Sequence, residues 1–311
     1  MIRPGSPVRH RSPIALLAMA CAVLVAAAVA ILWLPGGSGH ATDPLVGLPG
    51  APAGWTTVFG DDFQGRAGSA PSSGVWAHDV GPGSTYSSGN AQTYTAATAN
   101  THLDGKGDLV ITALKADGSW TSGRIRSTAL VAAPAGGELE VTASIDQPTP
   151  ASGLGYWDAF WLLGPGQWPG TGEVDILENV NALPDVSGTF HCGVLPGGPC
   201  DEPNGIGSGL LPCPDCQSGF HTYSVLIDRT TAGKESMTWS VDGRQVFRVA
   251  ESQVPAATWQ QAVDHGFSVI FDVAVGGSYP NEACRCSTPT ARTSSGGSMT
   301  VAYVAAYVKN G

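Results

Sequence analysis

The chain has 311 residues, of which only 13% are charged, whereas glycine (42 residues) and proline (23 residues) are abundant. This composition favours a turn-rich β-protein over a helical one, and the length allows one large domain or two small ones. The net charge of −10 gives no electrostatic reason to bind nucleic acid, whose phosphates attract lysine and arginine. It is compatible with an uncharged substrate.

The first 41 residues have the pattern of an export signal. Three arginines precede an apolar run at residues 14–34, and a small-residue stretch then ends at Ala41. The run is about 21 residues long, which is also enough to span a bilayer. We therefore expect a secreted protein, and the alternative is a chain held outside the cell by an uncleaved anchor at residues 14–34.

Six cysteines follow this N-terminal segment. An even number in an exported chain favours disulfide bonds, and six cysteines allow fifteen pairings. A Cys-Pro-Asp-Cys spacing would also suit zinc or a redox dithiol, but neither a second such pair nor a histidine pair at ligand spacing accompanies it. We therefore expect disulfides among Cys192, Cys200, Cys213, Cys216, Cys284 and Cys286.

The organisation of the remaining chain is that of a single β-domain. Residues 42–54 form a linker rich in proline, glycine and alanine, and residues 55–311 form the domain. Short alternating segments recur between turn signals such as Asp242-Gly243, which predicts a hairpin, and only residues 256–265 suggest a short helix. We expect an all-β antiparallel sandwich. Its predicted strands are 108–114, 137–145, 157–163, 173–180, 186–191, 221–228, 237–249, 267–275 and 299–308.

The sharpest feature of the sequence is the acidic segment GEVDILEN at residues 172–179. Because side chains alternate faces along a strand, Glu173 and Asp175 share one face, and plain alternation would send Glu178 into the core. Burying an unpaired carboxylate costs several kcal/mol. We therefore predict a β-bulge near Ile176-Leu177 that returns Glu178 to the face of the other two acids.

Three carboxyl groups on one sheet face have a chemical use. Retaining glycoside hydrolysis needs a carboxylate nucleophile and a carboxylic acid about 5–5.5 Å apart. We assign Glu173 as the nucleophile and Glu178 as the general acid/base, and Asp175 tunes both through like-charge coupling. A solvated strand face or a cation site is the alternative interpretation of this spacing.

Aromatic residues lie close to these acids in the sequence. Alternation places Trp157 and Trp161 on one face of the preceding strand and Phe160 on the other. Because sugar rings stack on indole rings, we predict that Trp157, Trp161 and Trp168 contact a saccharide. His191 lies on the next strand of a hairpin, where it can face the acids, although burial in the core is its default interpretation.

The segments WDAFWLL, WPGTGEVDILENV and VSGTFHCG resemble the catalytic block of glycoside hydrolase family 16, in its bulge-containing, laminarinase-like branch. VFGDDFQG, TSGRI, FHTYSV and AVGGSYP resemble further landmarks in the same order. The resemblance implies a concanavalin A-like jelly roll of two bent antiparallel sheets with a concave substrate groove. It also implies cleavage of internal β-1,3 or mixed β-1,3/1,4 bonds with retention.

The resemblance implies further site residues and one departure from the family. Arg124 and Asn90 match positions for substrate contact. The family's last strand commonly carries an acidic residue that helps to bind a structural calcium ion, but Ala302 occupies that position here. We therefore expect no cofactor and assign no metal ligands, and a structural calcium ion is the alternative that this departure argues against.

Several functions remain open within this resemblance. A transglycosylase would pass the glycosyl group to another sugar, other family members cleave agar, carrageenan or galactan, and a noncatalytic lectin would only bind β-glucan. Both cysteine-rich insertions follow elements that border the groove, so they can reshape its ends. We expect a monomer that acts on a polysaccharide, binds no nucleic acid and meets a membrane only through an uncleaved N-terminal anchor.

Overall fold

The computed structural model describes residues 47–87 and 89–311. The predicted export signal, its apolar run at 14–34 and residues 42–46 of the predicted linker lie outside the described residues. Within the described residues, no helix is long and apolar enough to cross a membrane. The later part of the predicted linker contacts the domain, because the Tyr307 hydroxyl donates a hydrogen bond to the Pro49 carbonyl oxygen at 2.8 Å.

The described residues form strands, two α-helices and two 3₁₀ turns. The strands are β1 (Thr56–Asp61), β2 (Trp76–His78), β3 (Gly81–Pro82), β4 (Gln92–Tyr94), β5 (Thr101–Leu103), β6 (Leu109–Thr112), β7 (Leu114–Ala116), β8 (Ser119–Ser122), β9 (Arg124–Ser127), β10 (Glu138–Asp146), β11 (Tyr156–Leu163), β12 (Glu173–Val180), β13 (Asp185–His191), β14 (Ile206–Gly207), β15 (Leu211–Pro212), β16 (His221–Asp228), β17 (Ser236–Val241), β18 (Arg244–Ala250), β19 (Ser268–Val275) and β20 (Ser298–Lys309). The helices are α1 (Ala256–Val263) and α2 (Ser278–Cys284), and the 3₁₀ turns are Gly83–Thr85 and Glu251–Gln253.

Two large antiparallel sheets form a β-sandwich. The back sheet has the order β18-β17-β16-β10-β20-β6-β5, and β1 also pairs with β20. The front sheet has the order β14-β13-β12-β11-β19-β9-β2, and β15 also pairs with β13. A small third sheet, β3-β4-β8-β7, contains one parallel pair, between β4 and β8. The predicted all-β sandwich is confirmed.

The core lies between the two large sheets, where alternate residues of each strand point inward. Phe160 and Leu162 of β11 and Leu139 and Val141 of β10 are fully buried in one continuous cluster. Each such side chain contributes roughly 1.5–3 kcal/mol of transfer free energy. Alternation therefore leaves the outer face of β11, β12 and β13 free to carry polar groups.

Most predicted strands are present within a residue or two of their expected bounds, and the Asp242-Gly243 turn joins β17 to β18 as predicted. The predicted strand 108–114 is instead two strands, β6 in the back sheet and β7 in the small sheet. Ala113 lies between them, and its backbone N–H and C=O bond to Gly297 and Gly296. Helix α2 was not predicted from the sequence, because seven residues that include Pro280 are too few to show a helical period.

The six cysteines form three disulfides, each between neighbours in the sequence. The pairs are Cys192–Cys200, Cys213–Cys216 and Cys284–Cys286. The expectation of disulfides is confirmed, and the structure selects one of the fifteen pairings that the sequence left open.

Candidate active site

The predicted bulge is present in β12. Against β11, Asp175 pairs with Trp161 and Leu177 pairs with Phe160, so Ile176 is the extra residue. The register against β13 shifts in the same segment, between Asp175 and Glu178. Ile176 and Leu177 both belong to the core cluster.

The bulge brings Glu178 to the same sheet face as the other two acids. The Thr189 hydroxyl donates to Glu178 Oε2 at 3.5 Å, and His191 Nε2 lies 3.2 Å from Asp175 Oδ2 and 3.8 Å from Glu173 Oε1. Thr189 and His191 are two positions apart on β13, so their side chains leave the same face. The three acids that contact them therefore share that face.

A tryptophan from the back sheet holds the bulge. The indole N–H of Trp239 on β17 donates to the Asp175 carbonyl oxygen at 2.7 Å. The acceptor lies where the bulge interrupts the β12–β13 register. Gly188 on β13 provides the room, because a Cβ there would lie 2.6 Å from Cδ1 of Trp239. Buried carbonyl groups without a partner are costly, so this contact stabilises the bulged form.

His191 lies between carboxylates on both sides. Its Nε2 faces Asp175 and Glu173, and its Nδ1 lies 2.8 Å from Glu202 Oε2. Burial by itself lowers the pKa of His191, but hydrogen bonds to Asp175 and Glu202 outweigh it and raise the pKa to about 11. The ring is therefore a cation beside the acids at neutral pH.

Glu178 has the environment of a carboxylic acid that stays protonated. It is buried, and the indole N–H of Trp157 donates to its Oε1 at 2.9 Å. Burial, and then the charge of Asp175, raise the pKa of Glu178 well above its usual range, although His191 and the Trp157 hydrogen bond lower it. A group of this kind can donate a proton near neutral pH.

The groups that shift the pKa of Glu173 differ in part from those that shift the pKa of Glu178. Burial and the charge of Asp175 raise its pKa to about 8, while His191 and Arg124 oppose the rise. Glu173 thus has two cationic neighbours that favour its ionised form. Burial and Asp175 raise the pKa of both glutamates, and the opposing groups include Arg124 at Glu173 and the Trp157 hydrogen bond at Glu178.

Trp161, which was predicted to contact a saccharide, is held by an aspartate. Trp161 donates its indole N–H to Asp272 Oδ1 at 2.9 Å, and the Tyr94 hydroxyl donates to Asp272 Oδ2. The Arg124 guanidinium lies over the Trp161 ring, with Cζ 4.6 Å from the ring centroid. Asp272 and Arg124 thus hold the Trp161 ring in place. Trp161 pairs with Asp175 on the neighbouring strand, so the ring lies beside that acid.

Arg124 also contacts Tyr86 and Asp79. Its Cζ lies 4.5 Å from the Tyr86 ring centroid, and its Nε forms an ion pair with Asp79 Oδ2 at 3.1 Å. Arg124 is 7% exposed, so most of the guanidinium is covered by protein. The structure places Arg124 in the wall of the site, and direct contact with substrate stays a prediction.

The remaining predicted residues mark the two ends of the site. Trp168, in the β11–β12 loop, lies near His191, with ring centroids 5.7 Å apart. Asn90 and Trp157 flank Gly277 at the Glu178 end, where a Cβ on Gly277 would lie 3.1 Å from Asn90 Oδ1 and 3.2 Å from Cζ3 of Trp157. All nine predicted residues thus lie in or beside one region of the front sheet.

One part of the site has the composition of a cation site. Glu173, Asp175 and His191 each offer one ligand atom, and these atoms lie within 4.8 Å of one another. A metal requires the neutral imidazole, whereas His191 is held in its protonated form by the flanking carboxylates. We interpret the group as charge-assisted hydrogen bonds. Whether the chain binds calcium elsewhere stays untested.

Sequence reasoning missed several residues of this region. Asp272 is a single acid in the apolar strand SVIFDVAV, which is a signal that could have been used, since a buried carboxylate needs partners. Tyr94 follows the segment in which Asn90 was recognised. Glu202 lies in a cysteine-rich insertion, and Tyr279 lies in helix α2, where its ring packs edge-on against Trp157 with centroids 5.7 Å apart. The sequence carried no signal for these two.

The fold and the site together define the class of protein. Two glutamates with raised pKa values share one face of a β-sandwich with a third acid between them and tryptophans at both ends. This arrangement is that of a glycoside hydrolase, in which two carboxyl groups act on one glycosidic bond.

Comparisons with known proteins agree with this class. The family model described as XgeA-like, catalytic GH16 domain matches residues 134–197. The chain is 30% identical to a beta-glucanase of Rhodothermus marinus over 241 residues, which cover 72% of this chain and 77% of that protein. It is 28% identical to glucan endo-1,3-beta-glucosidase A1 of Niallia circulans, of which it spans 36%.

Solved structures show the same likeness. The endo-1,3-beta-glucanase from Streptomyces sioyaensis superposes with a TM-score of 0.80 at 43% identity, covering 85% of this chain and 100% of that one. The laminarinase from Rhodothermus marinus has a TM-score of 0.64 at 27% identity, covering 81% of this chain and 97% of that one. The protein belongs to glycoside hydrolase family 16, in its laminarinase-like branch.

Proposed function

We propose that the protein hydrolyses internal β-1,3-glycosidic bonds of a β-glucan, with retention at the anomeric carbon. The observation that carries this proposal is the bulge in β12, which sets Glu173 and Glu178 on one sheet face with Asp175 between them. The names of its relatives, which include endo-1,3-beta-glucanases, support the choice of bond. Mixed β-1,3/1,4-glucans are the next candidate substrates.

In the first step, a Glu173 carboxylate oxygen bonds to the anomeric carbon as the glycosidic bond breaks, and Glu178 gives its proton to the departing oxygen. In the second step, Glu178 takes a proton from water, the water oxygen bonds to the anomeric carbon, and the ester bond to Glu173 breaks. Two displacements at one carbon give retention.

The electrostatics of the site support this division of roles. Glu173 faces His191 and Arg124, two cations that favour the ionised form a nucleophile needs. Glu178 is buried beside Asp175, which keeps the proton that an acid must donate. Asp175 contributes by repelling negative charge on both glutamates while its own charge is balanced by His191 at 3.2 Å.

The test is a reducing-end assay on laminarin, lichenan, agar, carrageenan and galactan. We expect release from laminarin, and Glu173→Gln and Glu178→Gln should each lower it by roughly 10²–10⁴-fold. Glu235→Gln is the matched control, because Glu235 is also buried and hydrogen-bonded, to Trp259, but lies outside the site. Cleavage of only agar or galactan would overturn the substrate, and full activity of either site variant would overturn the mechanism.

A second substrate type separates the two roles. An aryl glycoside with a good leaving group needs little help from an acid, so Glu178→Gln should keep a measurable first step on it. Glu173→Gln should show none, because the nucleophile is gone. Product analysis at high acceptor concentration distinguishes hydrolysis from transglycosylation, and saccharide binding without any bond cleavage would instead favour a lectin.

We also propose that the protein is exported and acts as a monomer on its polysaccharide. Three disulfides support an oxidising compartment, and the N-terminal pattern supports export. Mass analysis of the N-terminus of the protein in the culture medium and in the membrane fraction tests the first point: a chain cleaved near Ala41 in the medium supports a cleaved signal, and a full-length chain in the membrane fraction favours an anchor.

A further inference from the structure

Glu202 is a buried carboxylate that the proposed chemistry does not use. It is 2% exposed, and each of its oxygens has a partner. Oε1 accepts a hydrogen bond from the backbone N–H of Cys192 at 2.8 Å, and Oε2 lies 2.8 Å from His191 Nδ1. Glutamate is seldom buried to this degree unless it is paired, so its position calls for a reason.

A disulfide-closed loop directly precedes Glu202 and positions its backbone. The disulfide between Cys192 and Cys200 closes the loop directly after His191, with the two Cα atoms 5.4 Å apart. Gly197 and Glu202 then exchange two backbone hydrogen bonds, each 2.6 Å long. The loop therefore turns back on itself, and the side chain of Glu202 points to the ring that begins the loop.

The charges around His191 come from two elements. Strand β12 supplies Asp175 and Glu173 at Nε2, and the loop supplies Glu202 at Nδ1. Gly205 closes the same side, since a Cβ there would lie 2.9 Å from Nδ1 of the ring. An ionised carboxylate only accepts hydrogen bonds, so carboxylates on both sides favour a ring that carries a proton on each nitrogen.

We propose that Glu202 is a positioning residue of this active site, which, with the Cys192–Cys200 loop that precedes it and pairs with its backbone, fixes the His191 ring as an imidazolium facing Asp175 and Glu173. The proposal rests on the function proposed above. Its consequence for catalysis is electrostatic: the imidazolium lies 3.8 Å from Glu173 Oε1 and favours the ionised nucleophile. Glu202 itself need not touch substrate.

The first experiment measures His191 directly in the protein without substrate. In histidine-labelled protein, the signals that vanish in His191→Asn are assigned to His191. We expect the wild-type ring to keep both protons from pH 5 to pH 9, because it is held by carboxylates on both sides. In Glu202→Gln the ring should titrate within that range, since an uncharged amide can accept from only one of the two donors, Cys192 N–H and the ring.

The second experiment is the pH profile of kcat/KM on the polysaccharide that the wild-type enzyme cleaves. Loss of the imidazolium raises the pKa of Glu173, so the acidic limb of Glu202→Gln should move to higher pH by about one unit. Glu235→Gln, at a buried glutamate elsewhere, should leave both the limb and the His191 signals in place. A merely structural role for Glu202 would lower the amount of folded enzyme without moving the limb.

Glu202→Asp keeps the charge while it shortens the side chain. We expect its acidic limb and its His191 titration to lie between those of the wild type and Glu202→Gln. A shift as large as that of Glu202→Gln would show that loop shape matters and charge does not, which would overturn the proposal. This variant also serves if Glu202→Gln does not fold.

The loop is tested by removing its disulfide. The Cys192→Ser/Cys200→Ser double variant should shift His191 and the acidic limb in the same direction as Glu202→Gln, and combining the two should add little, because they act on one contact. Removal of the Cys284–Cys286 bond is the control. Additive shifts would contradict the role of the loop, and unchanged His191 signals in Glu202→Gln would overturn the proposal.

If the wild type cleaves no β-glucan, the proposed function fails, while the titration still decides the role of Glu202.

Discussion

The indole N–H of Trp239, on the back sheet, donates to the backbone carbonyl of Asp175, on strand β12 of the front sheet, at 2.7 Å. The contact crosses the core and ends at the bulge that separates Asp175 from Glu178. The position of Glu178, the proposed general acid, is thus supported from the hydrophobic interior, and not only from residues that line the site.

Trp239→Phe tests this support. The change keeps most of the buried ring but leaves the Asp175 carbonyl without its donor, which costs about 1–3 kcal/mol of unfolding free energy. We expect the specific activity of the folded protein to fall as well, because the bulge relaxes. Trp259→Phe is the control, since Trp259 is equally buried and donates to Glu235 at 2.8 Å, away from the bulge. It should lose stability and keep its specific activity; equal activity losses in both variants would contradict a special role for Trp239.

Trp157→Phe should move the alkaline limb of kcat/KM. The Trp157 N–H bonds to Glu178 Oε1 and lowers the pKa of that carboxyl, although burial keeps it well above its usual range. Without the bond the pKa rises further, so the acid stays protonated to higher pH and the limb shifts upward. Trp161→Phe, which breaks a bond to Asp272 instead, should leave the limb in place. A downward shift in Trp157→Phe would contradict the assignment of Glu178 as the acid.

Asp158 should make the fold less stable as the pH rises. Its side chain points into the core from β11, and both oxygens lack a hydrogen-bond partner among the described residues. Burial raises its pKa to about 8, whereas the unfolded value is near 3.8. The folded state therefore binds the proton more tightly, and the stability that protonation gives is lost between these values by up to about 1.4 kcal/mol per pH unit.

Asp158→Asn removes this dependence. Denaturant unfolding at several pH values between 4 and 8 should show the variant gaining stability relative to the wild type as the pH increases. Asp117→Asn, at an exposed turn, is the control and should show no such trend. A difference that stays constant with pH would mean that Asp158 is ionised in the folded protein.

Asp272→Asn should weaken substrate binding more than it slows the reaction. Asp272 accepts hydrogen bonds from Trp161 and Tyr94 and faces Arg124, and an asparagine can serve only one of the two donors with its oxygen. The Trp161 ring loses its fixed orientation, so we expect KM for the polysaccharide to rise several-fold with a smaller change in kcat. Steady-state kinetics measure both constants. A fall in kcat at unchanged KM would indicate that Asp272 acts on the reacting groups.

The sequence was informative where the alternation of side chains along a strand conflicted with the cost of burying a carboxylate. Alternation along residues 173–178 would have buried Glu178, and the cost of that burial predicted the bulge that the structure contains. The same alternation placed Trp157 and Trp161 opposite Phe160, which is how β11 presents them. The roles assigned to the three acids stay predictions until the variants are measured.

The sequence by itself determined the strand pattern, the turn at Asp242-Gly243 and the bulge, because each follows from contacts within a few residues, and the even number of cysteines indicated disulfides. Only the tertiary structure decided what holds these features: Trp239 reaches the bulge from 64 residues away, Asp272 meets Trp161 across 111 residues, and Glu202 reaches His191 through a loop that folds back on itself. A partner distant in the chain leaves no local pattern, since its position depends on how two sheets stack and how a loop closes.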